Sequence, residues 1–233
     1  MPTGRVAALQ RWPVKGMGGE AVDALTLDGL GVAGDRAHVV FDVFRGAPRR
    51  VNAKLAPRLL AWSAAYPDGA DALAAVTGPD GASRAWDDPE LADALTADVG
   101  RTVTLAREPR GVHIDRPRTI HITVQASLAA LGDTLGRPVD VRRFRSNIHL
   151  ELDAEPFAEE GWVGRRLRVG SAEVEVIERC ERCPIPGLDP QTQAKWPALL
   201  RLLADEHASD FGLIARALGP AVVRDGDSAE LLS

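Results

Sequence analysis

Cysteine is nearly absent from this chain of 233 residues, which holds two, Cys180 and Cys183. Two thiols at C-x-x-C spacing cannot make the disulfide framework of a small secreted domain. A structural zinc site needs four ligands, and no second C-x-x-C or His pair stands at suitable spacing. Long apolar runs are also missing. No window approaches the ~20 apolar residues that cross a bilayer, and the opening MPTGRVAALQRWPVKG has no apolar core of signal-peptide length. The expected protein is soluble, cytoplasmic and not bound to a membrane. Positive charge is not in surplus either. The net charge of -5 argues against nucleic acid as the default partner. No GxxxxGK[ST] loop, no GxGxxG after a strand, no G-x-S-x-G elbow and no HExxH pair occurs. The five histidines (His38, His113, His121, His149, His207) show no H-x-x-x-H spacing and read as structural or surface residues.

What is present is ordinary globular composition, 45% hydrophobic and 26% charged, long enough for one large β-rich domain or two small ones. Alternating runs predict strands over 5–10, 21–27, 37–41, 103–105, 119–124, 148–152, 166–169, 172–177 and 221–223. Helices are expected over 89–97, where Asp88 can cap and Pro89 begins the turn, over 127–135, ended by Gly136, and over 197–207. A weaker helix is expected over 71–75, a hairpin tip over 42–47, and strand or helix over 211–218. A basic, irregular linker over 108–118 divides residues 1–108 from residues 109–233. Lys15 lies in a loop with Gly16, Gly18 and Gly19, where backbone amides can approach an anion. On spacing alone, a solvated lysine in a hairpin loop is the better-supported reading. Arg36 is a surface arginine or a second anion contact.

The densest signal runs from residue 143 to 190. Strand-like segments there lead into both cysteines, placed in a loop stiffened by Pro184, Pro186 and Pro190. The cysteines read as a redox pair, as two half-buried small hydrophobes, or as one thiolate for a soft metal beside a second, local thiol. Thiolate suits molybdenum as it suits other soft centres. Arg142, Arg143, Arg145, Arg165, Arg166 and Arg168, with Arg179 and Arg182 beside the cysteines, divide between solvated faces and an anionic pocket.

Five segments together carry a family resemblance. RWPVKGMGGE resembles "YPVKS..GE", and DGLGVAGDRAHVVFD resembles "GL.GDR...VVD". DVRRFRSNIHLEL resembles "RFRPNIVV", EEGWVGRRLRVGSAEVEV resembles "..WVGR.L.IGD..L.V", and RCERCPIPGLDPQT resembles "PC.RC..PTVDP.TG". In this order they resemble the MOSC family, named for the C-terminal domain of molybdenum-cofactor sulfurase, and most closely its two-part bacterial type related to the mitochondrial amidoxime-reducing component. The resemblance implies an α+β, mainly β protein: a MOSC-type β-barrel over 109–233 with an N-terminal β module over 1–108 and flanking short helices. It implies a molybdenum cofactor, a pterin with a dithiolene and a phosphate. Cys183 falls on the metal-ligating, catalytic position; Lys15, Arg36, Arg145 and Asn147 fall on cofactor-holding positions. Gly16, Ser146 and Glu181 depart from the pattern, standing for a serine, a proline and a small or polar residue.

The implied activity is an oxidoreductase that reduces N-hydroxylated small molecules. Its electrons would come from a separate donor protein, because the chain has no flavin or iron–sulfur motif. The alternative is a non-catalytic carrier of the cofactor or of a persulfide on Cys183, although no pyridoxal-phosphate domain is present to generate the sulfur. A barrel binding some other anion is the third reading.

Overall fold

The computed structural model describes residues 1–109 and 119–232. Seven strands close on themselves in the order Ile148–Leu152, Ile120–Val124, Asp210–Ala217, Ala172–Glu181, Arg166–Val169, Ser228–Leu231, Thr3–Arg11 and back to Ile148–Leu152. Closure leaves these seven staves without a free edge to template aggregation. Period-2 patterning fills the interior: Val6, Ile122, Ile148, Leu167, Val174 and Leu213 are each fully buried in one cluster. One pairing is parallel, Ile120–Val124 against Ile148–Leu152, and helix α2 (Gln125–Leu135) lies between these strands in the chain. Thr3–Arg11, from the start of the chain, is a stave of the barrel and bonds both Ile148–Leu152 and Ser228–Leu231.

A second core, with Met17, Val40, Leu59, Trp62, Trp86 and Leu91 inside, lies under two small sheets. One pairs Thr104–Arg107, His38–Phe44 and Ala47–Val51; the other pairs Ser63–Ala65, Ala75–Thr77 and Ser83–Ala85. Helix α1 (Pro89–Val99) covers this core. The Glu90 amide donates to Asp88 Oδ1 at 2.9 Å, and Gly100 ends the helix in the left-handed region. A third sheet joins Ala24–Asp28 to Gly31–Val32 and to Ala221–Arg224. Helix α3 (Pro197–His207) packs with α2 around Phe144 and Phe211, whose rings stack 4.0 Å apart. No described helix is long and apolar enough to cross a membrane.

Several expectations need correction. Residues 71–75 form no helix. Five residues after Gly69 are too few to nucleate one, and the Trp86 amide donates to the Ala74 carbonyl, drawing the segment into the Ala75–Thr77 strand. The strand over 21–27 is two strands, Glu20–Ala21 and Ala24–Asp28, because its ends take different partners, the first Thr3–Arg11 and the second Ala221–Arg224. The hairpin tip narrows to Arg45 and Gly46, both at positive φ. The ambiguous 211–218 stretch is strand, Asp210–Ala217. Cys180 is not in a loop. It is the last residue but one of the Ala172–Glu181 strand, and only Cys183 lies beyond that strand. Residues 110–118 of the expected linker, with His113, fall outside the described residues.

Two histidines are buried where imidazolium is poorly solvated. His38 is pulled down to about 4, mainly by burial and then by the charge of Arg107. Burial likewise takes His149 down to about 4. Both are neutral in the fold, whereas an unfolded histidine titrates near 6.5. Between pH 6.5 and about 4 the unfolded chain therefore binds protons that the native state refuses, and stability falls as pH falls. The loss is at most about 3 kcal/mol per histidine and levels off below pH 4. Urea unfolding followed from pH 7.5 to pH 4 will show this decline, with a shallower slope in His38→Asn.

Candidate functional site

A cavity of about 420 Å³ opens where one end of the barrel meets the N-terminal sheets. The five residues singled out in the sequence, Lys15, Arg36, Arg145, Asn147 and Cys183, all line it. Two come from the first hundred residues and three from the barrel, so neither part of the chain forms the wall alone.

On the first side, the stave Thr3–Arg11 runs into Trp12 and then the lysine loop. The Lys15 amide donates to the His38 carbonyl at 3.1 Å, and the Gly18 amide to the Trp62 carbonyl at 2.7 Å. Gly16 sits at φ +93°, and a Cβ there would stand 3.1 Å from the Ala53 nitrogen. This explains a glycine where the family pattern has serine: the loop lies flat against residues 52–53, which also line the cavity. Arg36 takes φ +50° in a turn that its amide closes onto the Trp12 carbonyl at 2.7 Å.

On the barrel side, Arg145 stands at φ +53°, ending the short turn Val141–Phe144. Non-glycine residues in this region need surroundings that hold them there. Here the Arg36 guanidinium donates to the Arg145 carbonyl at 3.0 Å, and the Trp12 indole donates to the Ser146 carbonyl at 2.9 Å. Asn147 is stapled on both sides. Its Oδ1 accepts from the His121 amide at 3.1 Å, and its Nδ2 donates to Asp35 Oδ1 at 3.0 Å and to the Gln10 carbonyl at 3.3 Å.

The arginine-rich stretch separates by geometry. Arg143 donates to the Pro186 carbonyl and to Asp189, and Arg182 donates to the carbonyls of Phe144 and Phe211. These two clip the cysteine loop to the barrel. Arg142 pairs with Asp140, Arg168 with Glu173 and Glu230, and Arg165 holds the Leu232 carbonyl; none of the three lines the cavity. Arg145 differs. Its guanidinium lies 4.3 Å over the Trp12 ring, and its buried Nη2 has no hydrogen-bond partner. Burial, with Arg36 beside it, pulls Arg145 down to about 9, while Asp35 and Cys183 act in the opposite sense. It remains a cation at neutral pH with one fork of donors open.

Neither cysteine is in a disulfide, and the two thiols occupy different settings. Cys180 is 3% exposed, and its Sγ lies 3.3 Å from His121 Nε2. A strand irregularity between Arg179 and Glu181 turns it toward the cavity. Cys183, in the loop beyond, is half-buried and lines the same cavity. Glu181 stands exposed at the rim and is not the partner of Arg179, which pairs with Glu160 and Asp210. Sequence reading took His121, which lines the wall, for a structural or surface residue and gave no role to Asp35, whose side chain is 3% exposed. The signal for Asp35 was its place in a turn between Gly34 and Arg36; a buried carboxylate needs partners such as that arginine. Among the described residues, no group of three or more His, Cys, Asp or Glu side chains is arranged to hold a metal.

The model of the MOSC domain matches residues 109–230, and that of the MOSC N-terminal beta barrel domain matches residues 3–94. The chain belongs to the MOSC domain family. Among curated proteins, molybdenum cofactor sulfurase of Danio rerio is 37% identical over 65 residues, which are 28% of this chain and 8% of that protein. Molybdenum cofactor sulfurase of Caenorhabditis elegans is 38% identical over 77 residues, 32% of this chain and 10% of that one. The matched stretches thus span a tenth or less of these relatives' length. The crystal structure of the YuaD protein from Bacillus subtilis has the same fold, with a TM-score of 0.54 at 14% identity over 99% of this chain and 97% of that one.

The glycine requirement of the lysine loop of this MOSC protein is testable. Gly16→Ser places a side chain in the left-handed region against the Ala53 nitrogen, and it should lower stability by about 1–2 kcal/mol in chemical denaturation.

Proposed function

We propose that this protein binds a molybdenum cofactor and reduces N-hydroxylated compounds with electrons from a separate donor protein. One observation carries the reading: Arg145, whose buried Nη2 has no hydrogen-bond partner, lines a cavity together with Lys15, Arg36 and Cys183. A buried cation with an open donor is costly unless an anion completes it. A phosphorylated pterin has that charge, and a thiolate is a fitting ligand for a soft metal. The residues present fit the group.

In this reading Lys15, Arg36 and Arg145 hold the phosphate and the pterin edge. Asn147 orders the loop that carries Arg145. Cys183 is the protein's ligand to molybdenum, and when bound the cofactor would supply two-electron redox chemistry. Overall, an N-hydroxyl substrate takes two electrons and two protons and leaves as the N–H compound and water. Residues of the lysine loop and of the clipped cysteine loop line the cavity from opposite parts of the chain. The two-part division of the chain at residues 108 and 109 belongs to the same proposal, with each part supplying one wall.

Molybdenum and pterin content of protein made in a cofactor-competent host tests this directly, together with amidoxime reduction driven by a reduced viologen. Wild-type protein should carry near-stoichiometric molybdenum and turn over. Cys183→Ser should lose most of the metal and at least a hundredfold in rate. Metal-free wild-type protein bearing a persulfide on Cys183 would replace this reading with the sulfur-carrier alternative.

A further inference from the structure

The anion site is assembled around a carboxylate, which at first sight opposes its purpose. Asp35 Oδ1 accepts from the Trp12 amide at 2.9 Å and from Asn147 Nδ2 at 3.0 Å, and Oδ2 accepts from Arg36 Nη1. The side chain is 3% exposed. Arg36 then reaches across to the Arg145 carbonyl with Nη2, and Trp12 reaches across to the Ser146 carbonyl with its indole. The Arg36, Asn147 and Trp12 links from this hub cross between the N-terminal part and the barrel.

A negative charge here reduces the cavity's positive potential, so simple electrostatics would favour its loss from a site that takes anions. Its three donors show what it does instead. With Oδ2 it fixes the face that Arg36 turns to the cavity; with Oδ1 it fixes Asn147, and so the left-handed turn that aims Arg145. Prearranged donors gain more from an anion than mobile ones, because their ordering is completed before it arrives.

We propose that Asp35 is the positioning residue of this site: it locks Arg36 and the Arg145–Asn147 turn into one assembly, so that anion binding requires the N-terminal part and the barrel to be docked. The proposal rests on the anion-site reading above and adds to it the residue that joins the two walls.

Charge and position predict opposite signs, which makes the test decisive. Inorganic pyrophosphate is titrated calorimetrically into the full-length, cofactor-free chain. Asp35→Asn makes the cavity more positive by one charge and keeps an acceptor for Trp12 and Asn147. Positioning nevertheless predicts binding at least tenfold weaker, because Arg36 is released. Asp35→Glu keeps the charge but displaces the carboxylate by one methylene, and it should weaken binding similarly. Circular dichroism checks that each variant is folded; if Asp35→Asn is not, Asp35→Glu decides alone. In an Arg36→Gln background, Asp35→Asn should cost less than a further twofold. Unchanged or tighter binding in a folded Asp35 variant overturns the positioning role, and so does a full additional tenfold loss in the Arg36→Gln background. Failure of the wild-type chain to bind pyrophosphate at all overturns the anion site itself, a distinct result.

Discussion

One buried carboxylate holds the cavity together. Asp35 gathers a backbone amide, an asparagine and an arginine that arrive from sequence positions 12, 147 and 36. The ladder between Thr3–Arg11 and Ile148–Leu152 sets the register of the junction, and Asp35 adds the bonds that fix its side chains. A carboxylate buried with a hydrogen-bonded arginine is costly to break, since either partner left alone is an uncompensated charge in a poorly solvated place. The same property makes the junction specific, because few other pairings of the two surfaces would satisfy all three donors.

Around that junction the chain maintains a surplus of buried or half-buried cations, and geometry divides their work. Arg143 and Arg182 spend their donors on carbonyls and on Asp189, and so hold the loop that carries Cys183. Arg145 keeps a donor open. The net charge of -5 gives no hint of this, because the positive potential is local and walled by apolar residues such as Phe144, Ile185 and Leu60. The barrel contributes rigidity. Its closed ladder fixes the ends of Ile120–Val124, Ile148–Leu152 and Ala172–Glu181, and the residues at those ends reach the site.

Much of the fold was legible before any coordinates. Alternation over 148–152, 166–169 and 172–177 marked strands, and Asp88 and Pro89 marked the start of α1, because these signals act within a few residues. The failures share a physical cause. The strand over 21–27 breaks because its ends pair with Thr3–Arg11 and with Ala221–Arg224, and the helix over 71–75 gives way to a bond from Trp86. In each case a partner outside the local window outweighed a weak local preference. His121 was taken for a structural or surface residue for the same reason: no spacing rule links it to Cys180, 59 residues away.

The sequence by itself determined several of the strands, the start of α1, the isolated pair of thiols and the motifs that place the chain in its family, all of them local in range. Only the tertiary structure decided which of eight neighbouring arginines has a donor to spare, which cysteine is sheltered by a histidine, and that Asp35 lies at the centre. Those properties are set by burial and by partners from 59 to more than a hundred residues apart in the chain, and a residue's type does not reveal whether its hydrogen bonds are already taken.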